Sequence, residues 1–414
     1  VSDRVAAAEE ALGRGDLQMA EELGREALAD GNSLAARLTL AQALAWQGRG
    51  RDADSVLTEV DEASLSEAEL MAWAVPRAAN QFWMLDQPER ATAFLNTVRG
   101  KVRSAGSGAT LDALLGTFTM NAGSPQRAIQ ISQEVLESPN ADDQAIGWAA
   151  AAAALSNARM GVFTDVDDLA ARATAAGHPG LLRFTSGFGQ TTALVMSGEL
   201  ARAQELAQLL VDGTQPTQPG HAIGQLLVAD VLLVRGDPAG AAALLQAAST
   251  ALAPTGYSWG PLAWMLLAHA LGQLGRVADA GRAFAKAESR HGLKSMLFAP
   301  ELSLAKAWTA AARRDGPGAV AAARESARAA QRGGQSAVAL RALLDAVRLG
   351  DTRAADAIER LQLDCAVATL ALSYAKAFTA RDAVGLDDAA AAFEGIGMNG
   401  VAADAARQAV EARG

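Results

Sequence analysis

The stretch GELARAQELAQLL (Gly198–Leu210) opens on a glycine, follows it with an acidic residue, and then sets small and apolar residues at helical spacing. Four other stretches share its plan: GDLQMAEELGREAL (Gly15–Leu28), GSPQRAIQISQEVL (Gly123–Leu136), GDPAGAAALLQAA (Gly236–Ala248) and GRVADAGRAFAKA (Gly275–Ala287). Weaker copies begin at Gly48, Asp86, Gly161, Asp315, Gly350 and Val384, so that successive starts are 33 to 40 residues apart. Eleven copies fill the 414-residue chain. The residue five places after each start is alanine in nine of the eleven, the exceptions being Val166 and Val320. Alanine is about a quarter of the sequence, which would place about two or three there by chance. A recurrent small residue on a helix marks a place where another backbone comes close.

Before most starts lies a second helical pattern carrying the bulky apolar side chains, as in SLAARLTLAQALAWQ (Ser33–Gln47), IGQLLVADVLLVR (Ile223–Arg235) and PLAWMLLAHALGQL (Pro261–Leu274). Each copy therefore reads as two antiparallel helices joined by a tight turn. A period of about 37 is close to the roughly 34 of tetratricopeptide-like hairpins. One hairpin cannot bury both faces, so stacking of neighbours must supply the core. The expected fold is all-α: about eleven such hairpins in a right-handed superhelix, one domain over residues 1–414, its inner surface lined by the first helices. Three stretches dense in Gly, Pro and Ser, GKVRSAGSGAT (from Gly100), VDGTQPTQPGH (from Val211) and APTGYSWGP (from Ala253), are expected to be loops.

Acidic residues outnumber basic ones, 46 to 36, giving a net charge of −10 that repels phosphate backbones. Direct nucleic-acid binding is not expected. The start lacks the basic, then apolar, then small-residue order of a signal peptide, and no stretch is apolar enough to span a bilayer. The chain reads as a cytoplasmic segment of a longer protein, with no membrane partner.

No catalytic constellation can be assembled. The only Gly-Lys pair, Gly100-Lys101, lacks the rest of a phosphate-cradling loop, and there is no HExxH. The four histidines, His178, His221, His269 and His291, fall in distant repeats, so no metal site is expected. Asp142-Asp143 and Asp387-Asp388 stand near helix starts and read as caps. The lone Cys365, in LQLDCAVATLALSYAKAF (Leu361–Phe378), reads as a small hydrophobe within an apolar helix. An enzyme is not indicated.

A superhelix offers a concave surface, and aromatic or uncharged polar residues on its first helices are the candidates to line a binding site. These are Asn80, Trp83, Trp148, Asn157, Arg183, Gln190, Gln225, Trp259, Trp264 and Trp308, with Phe184 and Tyr257 beside them. Trp and Tyr stack on sugar faces or rings, and Asn, Gln and Arg supply forked hydrogen bonds.

The C-terminal third carries more specific runs: DAVRLGD (Asp345–Asp351), within the long stretch from Glu301, and FEGIGMNGVAADAA (Phe393–Ala406). They resemble the repeat region of the large ATP-binding LuxR-type (STAND-class) transcription regulators, the family of the maltose regulator of enteric bacteria. The alanine-rich composition is similar to that of a high-GC actinobacterial coding sequence. The resemblance implies an effector-sensing superhelix, preceded by a nucleotide-binding switch domain and followed by a helix-turn-helix. ATP would then belong to the absent N-terminal domain, with no cofactor in this chain. Its partners would be those two domains and a small inducer, a disaccharide or oligosaccharide such as a maltose- or trehalose-like sugar. The alternative is a tetratricopeptide-type scaffold for protein–protein interaction with no small-molecule ligand.

Overall fold

The computed structural model describes residues 2–177 and 181–414. Among them are 23 α-helices and no strand. Twenty-two helices pair into eleven antiparallel hairpins, and the last, Asn399–Arg413, closes the array.

The physical reason for the punctuation lies in the turns. Between the two helices of each hairpin one residue takes a left-handed backbone, at Gly15, Gly48, Asp86, Gly123, Gly161, Gly198, Gly236, Gly275 and Gly350. The other two turns correct the sequence alignment: the left-handed residues are Arg314 and Arg381, not Asp315 and Val384. Asp315 and Asp382 instead cap the helices that follow, accepting from the backbone N–H of Gly318 and Gly385 at 3.0 Å. Moving the ninth start back by one also removes the exception at Val320, because the residue five after Arg314 is Ala319, which is buried. In the eleventh hairpin the same step lands on buried Leu386, so that position is not small. Ala20, Ala53, Ala91, Ala128, Ala203, Ala241 and Ala280 are wholly buried, as close helix approach requires, whereas Ala355, five after Gly350, is half-buried and its neighbour Ala354 takes the buried place.

The three expected loops are shorter than their stretches. Helices begin at Ala105 and Pro219, the helix Leu200–Asp212 runs into the second stretch, and the third is a single 3₁₀ turn, Ala253–Thr255, before the helix Trp259–Gln273.

Successive turns of the superhelix touch. Helix Asp143–Met160 contacts Ser336–Arg348, Leu182–Met196 contacts Ala366–Thr379, and Pro219–Arg235 contacts Asn399–Arg413, in each case ten helices further along. One superhelical turn therefore holds five hairpins. The seam runs along six of the hairpin turns, from Gly48 to Gly236, where each turn meets a segment near the start of a later first helix. A Cβ at Gly48 would stand 3.1 Å from the Pro254 carbonyl oxygen, one at Gly123 3.1 Å from the Met296 Cβ, and one at Gly198 3.3 Å from Ile396. At Asp86 the carboxylate accepts from the Lys294 backbone N–H at 3.0 Å, while Lys294 Nζ donates to the carbonyls of Trp83 and Gly256, both at 2.6 Å. At Gly236 a side chain would collide with the backbone of Gly400.

The contrast between Gly236 and Gly275 isolates the seam. Both are left-handed, but nothing lies within 4 Å of a Cβ at Gly275. Gly275→Ala is expected to lose only the backbone preference, about 1–2 kcal/mol. Gly236→Ala must in addition push two superhelical turns apart, and should lose at least twice as much in urea unfolding; equal losses would mean the seam is not closed.

Candidate functional site

The interior is lined by first helices, and it is filled by their own side chains. Arg159, near the end of Asp143–Met160 and 2% exposed, ties that helix to the next superhelical turn. Its Nε donates to Gln335 Oε1 at 2.6 Å, and its Nη2 to the Leu297 carbonyl at 3.0 Å and Glu301 Oε1 at 2.8 Å. Gln335 Nε2 donates to the same carbonyl at 3.0 Å. The guanidinium also lies over the rings of Phe298 and Phe188, at 5.1 and 5.9 Å. A buried cation is stable only when paired and fully hydrogen-bonded, and these partners come from residues 138 to 176 positions away.

A second group continues the chain of charges. Arg341 Nη1 donates to Asp230 at 3.0 Å, joining two first helices three hairpins apart. Asp345 accepts from Trp308 Nε1 at 3.0 Å and Arg348 Nη1 at 3.1 Å, and Arg348 Nε donates to Asp404 at 2.8 Å. Burial would lower the affinity of Arg341 and Arg348 for their protons, but the facing aspartates more than offset it and hold both pKa values above the ordinary one. His269 stacks on Trp308 and lies 3.7 Å from Asp345. Burial pushes its pKa down to about 4 despite that carboxylate, so it is neutral at pH 7. Tyr374 donates to Gln408 at 2.6 Å, and its pKa is raised, first by burial.

Two cavities remain within this network. One, of about 30 Å³, is bordered by Arg159, Thr192, Glu301 and Ser326; the other, of about 20 Å³, by Gln273, Asp345, Arg348 and Val401. Met196, His269 and Arg341 border both. They have room for about one or two waters each, against the roughly 300–1,000 Å³ of a ligand pocket.

The ten residues picked from sequence do not converge. Trp308 sits in the charge network, and Trp259 packs 5.8 Å from Phe188 and 6.3 Å from Phe298, the two rings under Arg159. Trp83 belongs to the seam, where it meets Phe118 at 5.3 Å and Tyr257 at 6.4 Å. It lies in a π-helical turn, Asn80–Met84, in which Asn80 Nδ2 donates to the Gly50 carbonyl at 2.9 Å while its Oδ1 is buried without a partner. Gln190 donates to Asp167 at 3.1 Å, exposed Arg183 covers Phe184 at 4.8 Å, and buried Trp264 lies under Lys286 at 4.5 Å. Trp148, Asn157 and Gln225 are half-buried on first helices.

The network residues Arg159, Asp230, His269, Glu301, Gln335, Arg341, Asp345 and Arg348 lie outside the aromatic and amide set expected from sequence; their sequence signal is a polar or charged side chain among alanine and leucine. Cys365 is also corrected: it precedes the helix Ala366–Thr379 as its N-cap residue, and burial raises its thiol pKa. Asp142 does cap its helix, accepting from Ala145 N–H at 2.9 Å, whereas Asp387 pairs with Arg413. His221 and His291 bond to Thr214 and Ser295 at 2.9 and 2.8 Å, and His178 lies outside the described residues. Among the described residues no three His, Cys, Asp or Glu side chains group as metal ligands, and no helix is long and apolar enough to cross a membrane.

The geometry decides the fold. The chain is a tetratricopeptide-like helical solenoid. No family model matches it, and no curated protein matches it. Among solved structures it is similar to a Rap protein complexed with competence and sporulation factor, at 15% identity over 92% of this chain and 97% of that one, TM-score 0.40. A tetratricopeptide repeat protein from Parabacteroides merdae ATCC 43184 is similar at 17% identity over 64% and 96%, TM-score 0.43. The APC/C hetero-tetramer Cut9–Hcn1 is similar at 14% identity over 97% and 95%, TM-score 0.35.

Two measurements test the network. Arg159→Ala leaves half-buried Glu301 without its cation and removes the buried bonds to Gln335 and the Leu297 carbonyl, and should cost about 3 kcal/mol in chemical unfolding. For His269 the folded pKa of about 4 lies below the unfolded 6.5, so the unfolded chain takes up the proton first. Its contribution is fully present above pH 6.5 and lost as pH falls toward 4, about 2 kcal/mol between pH 7 and 5. His269→Gln should flatten the stability–pH curve in that window; an unchanged slope would show that the imidazole is not held neutral.

Proposed function

We propose that the solenoid is a protein-interaction scaffold. The observation that carries this reading is the filled interior: Arg159, Glu301, Arg341 and Asp345 occupy the space a sugar would need, leaving cavities of about 30 and 20 Å³. Recognition by outer helix faces and rims needs no cavity, and a helical-repeat surface of eleven hairpins provides a long one.

A second reading keeps the implied LuxR-type regulator, with this segment as its effector sensor. One feature favours it. Arg341 uses only Nη1 on Asp230 and its side chain stays 24% exposed, with its guanidinium at the wall of both cavities. A hydroxyl or carboxylate could be taken there if Met196 moved and the cavities merged. Trp259, Trp308 and the other sequence-picked residues belong to this reading.

Thermal unfolding against mono-, di- and oligosaccharides at millimolar concentration separates the two. A ligand at 100 times its Kd adds about 2.7 kcal/mol. The scaffold reading expects no selective shift, and expects a protein partner to protect outer helix faces in hydrogen exchange. A shift for one sugar that disappears in Arg341→Ala would overturn it in favour of the sensor.

A further inference from the structure

The seam that joins superhelical turns is used up only part of the way along the chain. Turns two to seven, at Gly48, Asp86, Gly123, Gly161, Gly198 and Gly236, each meet a later segment. The first turn, at Gly15, and the turns of the last four complete hairpins do not. Nothing lies within 4 Å of a Cβ at Gly275 or Gly350, and Arg314 and Arg381 are exposed. These four turns form an upper rim with the seam's geometry and no occupant. At the other end, the segments entering the first helices of the early hairpins form the matching lower rim.

The two rims differ in charge. The upper rim carries Arg276, Arg313, Arg314, Arg353 and Arg381, all exposed. Arg313, Arg314 and Arg381 have no side-chain hydrogen bond or ion pair with any described residue, while Asp315 and Asp382 beside them are engaged as helix caps. Leu274, Val277 and Val384 stand exposed along the same edge, at 38%, 43% and 66%. The lower rim carries Asp30, Asp61, Glu62, Glu67, Asp142 and Asp143, which outnumber its bases Arg4, Lys101 and Arg103; Asp30 and Glu62 pair with Arg4 and Lys101, and Asp61, Glu67 and Asp142 accept from backbone N–H groups, each keeping its negative charge at the rim. Asp143 is exposed and unpaired.

We propose that copies of this chain stack head to tail, the basic upper rim of one on the acidic lower rim of the next, so that the inter-turn seam runs on from chain to chain. Two arguments select a second copy as the occupant: the contact continues an interface the chain already makes with itself, and the rims are complementary in charge. Such a contact is heterologous, so it leaves a free rim at each end and does not close on two copies.

Sedimentation of the full chain over a range of concentration tests this. The weight-average mass should rise with concentration without a plateau at two chains. Raising salt from about 0.05 to 0.5 M should lower the association constant at least tenfold, because exposed charges are screened. An upper-rim variant, Arg313→Glu with Arg314→Glu and Arg381→Glu, and a lower-rim variant, Asp61→Lys with Asp143→Lys, should each remain single chains with unchanged helicity. Each retains one native rim that complements the native rim of the other, so an equimolar mixture should associate again, which also shows that both variants are folded. A mass that stays at one chain at every concentration overturns the proposal. So does a plateau at two chains, self-association surviving in either variant, or a rim that fills only when a different protein is added.

Discussion

Two superhelical turns must come within van der Waals distance at a row of hairpin corners, and this approach governs the structure. The corner has to bend the chain back through a left-handed residue, and on the seam it also has to present little or no side chain to the next turn. Glycine meets both demands, which is why it stands at five of the six seam corners. Asp86 meets them in another way: its carboxylate becomes part of the seam by accepting the Lys294 N–H. Corners away from the seam are released from the second demand. There arginine holds the left-handed position twice, at Arg314 and Arg381.

Closing the seam encloses the first helices, and their polar groups must then find partners inside. The result is a line of charges from Arg159 to Asp404 in which arginines meet acceptors two to five hairpins away along the chain. Apolar side chains of similar volume would fill the space with as much stability, since desolvation offsets most of the Coulombic gain. What the charges add is register: an arginine displaced by one hairpin would lie buried without its acceptor. The two runs that carry the family resemblance meet in this line, where Arg348 of DAVRLGD pairs with Asp404 of FEGIGMNGVAADAA.

The repeat was legible because its cause is local. A corner glycine, a cap and a small residue five places on are neighbours in sequence, so hairpin number and most turn positions could be read directly. The local signal is weaker where another residue type holds the corner, as at Arg314, beside which the cap Asp315 is the more conspicuous residue. The interior was less legible because its cause is not local. Nothing near Arg159 announces that Gln335 and Glu301 complete it, and the superhelical pitch that brings them together accumulates from small rotations at many hairpins. Tryptophans are the conspicuous residues of the sequence, and Trp83, Trp259 and Trp308 each pack against a ring on another helix.

An open solenoid folds by adding hairpins to a growing stack, each contact closing a short loop. The seam changes that course. Gly48 meets Pro254, 206 residues later (254 − 48), so its contact closes a loop about half the chain long. During synthesis at about 5–20 residues per second, the second hairpin waits roughly 10–40 s for the segment that covers it. The early hairpins must remain folded on local contacts alone through that interval, and the finished coil locks only when its second turn has been made.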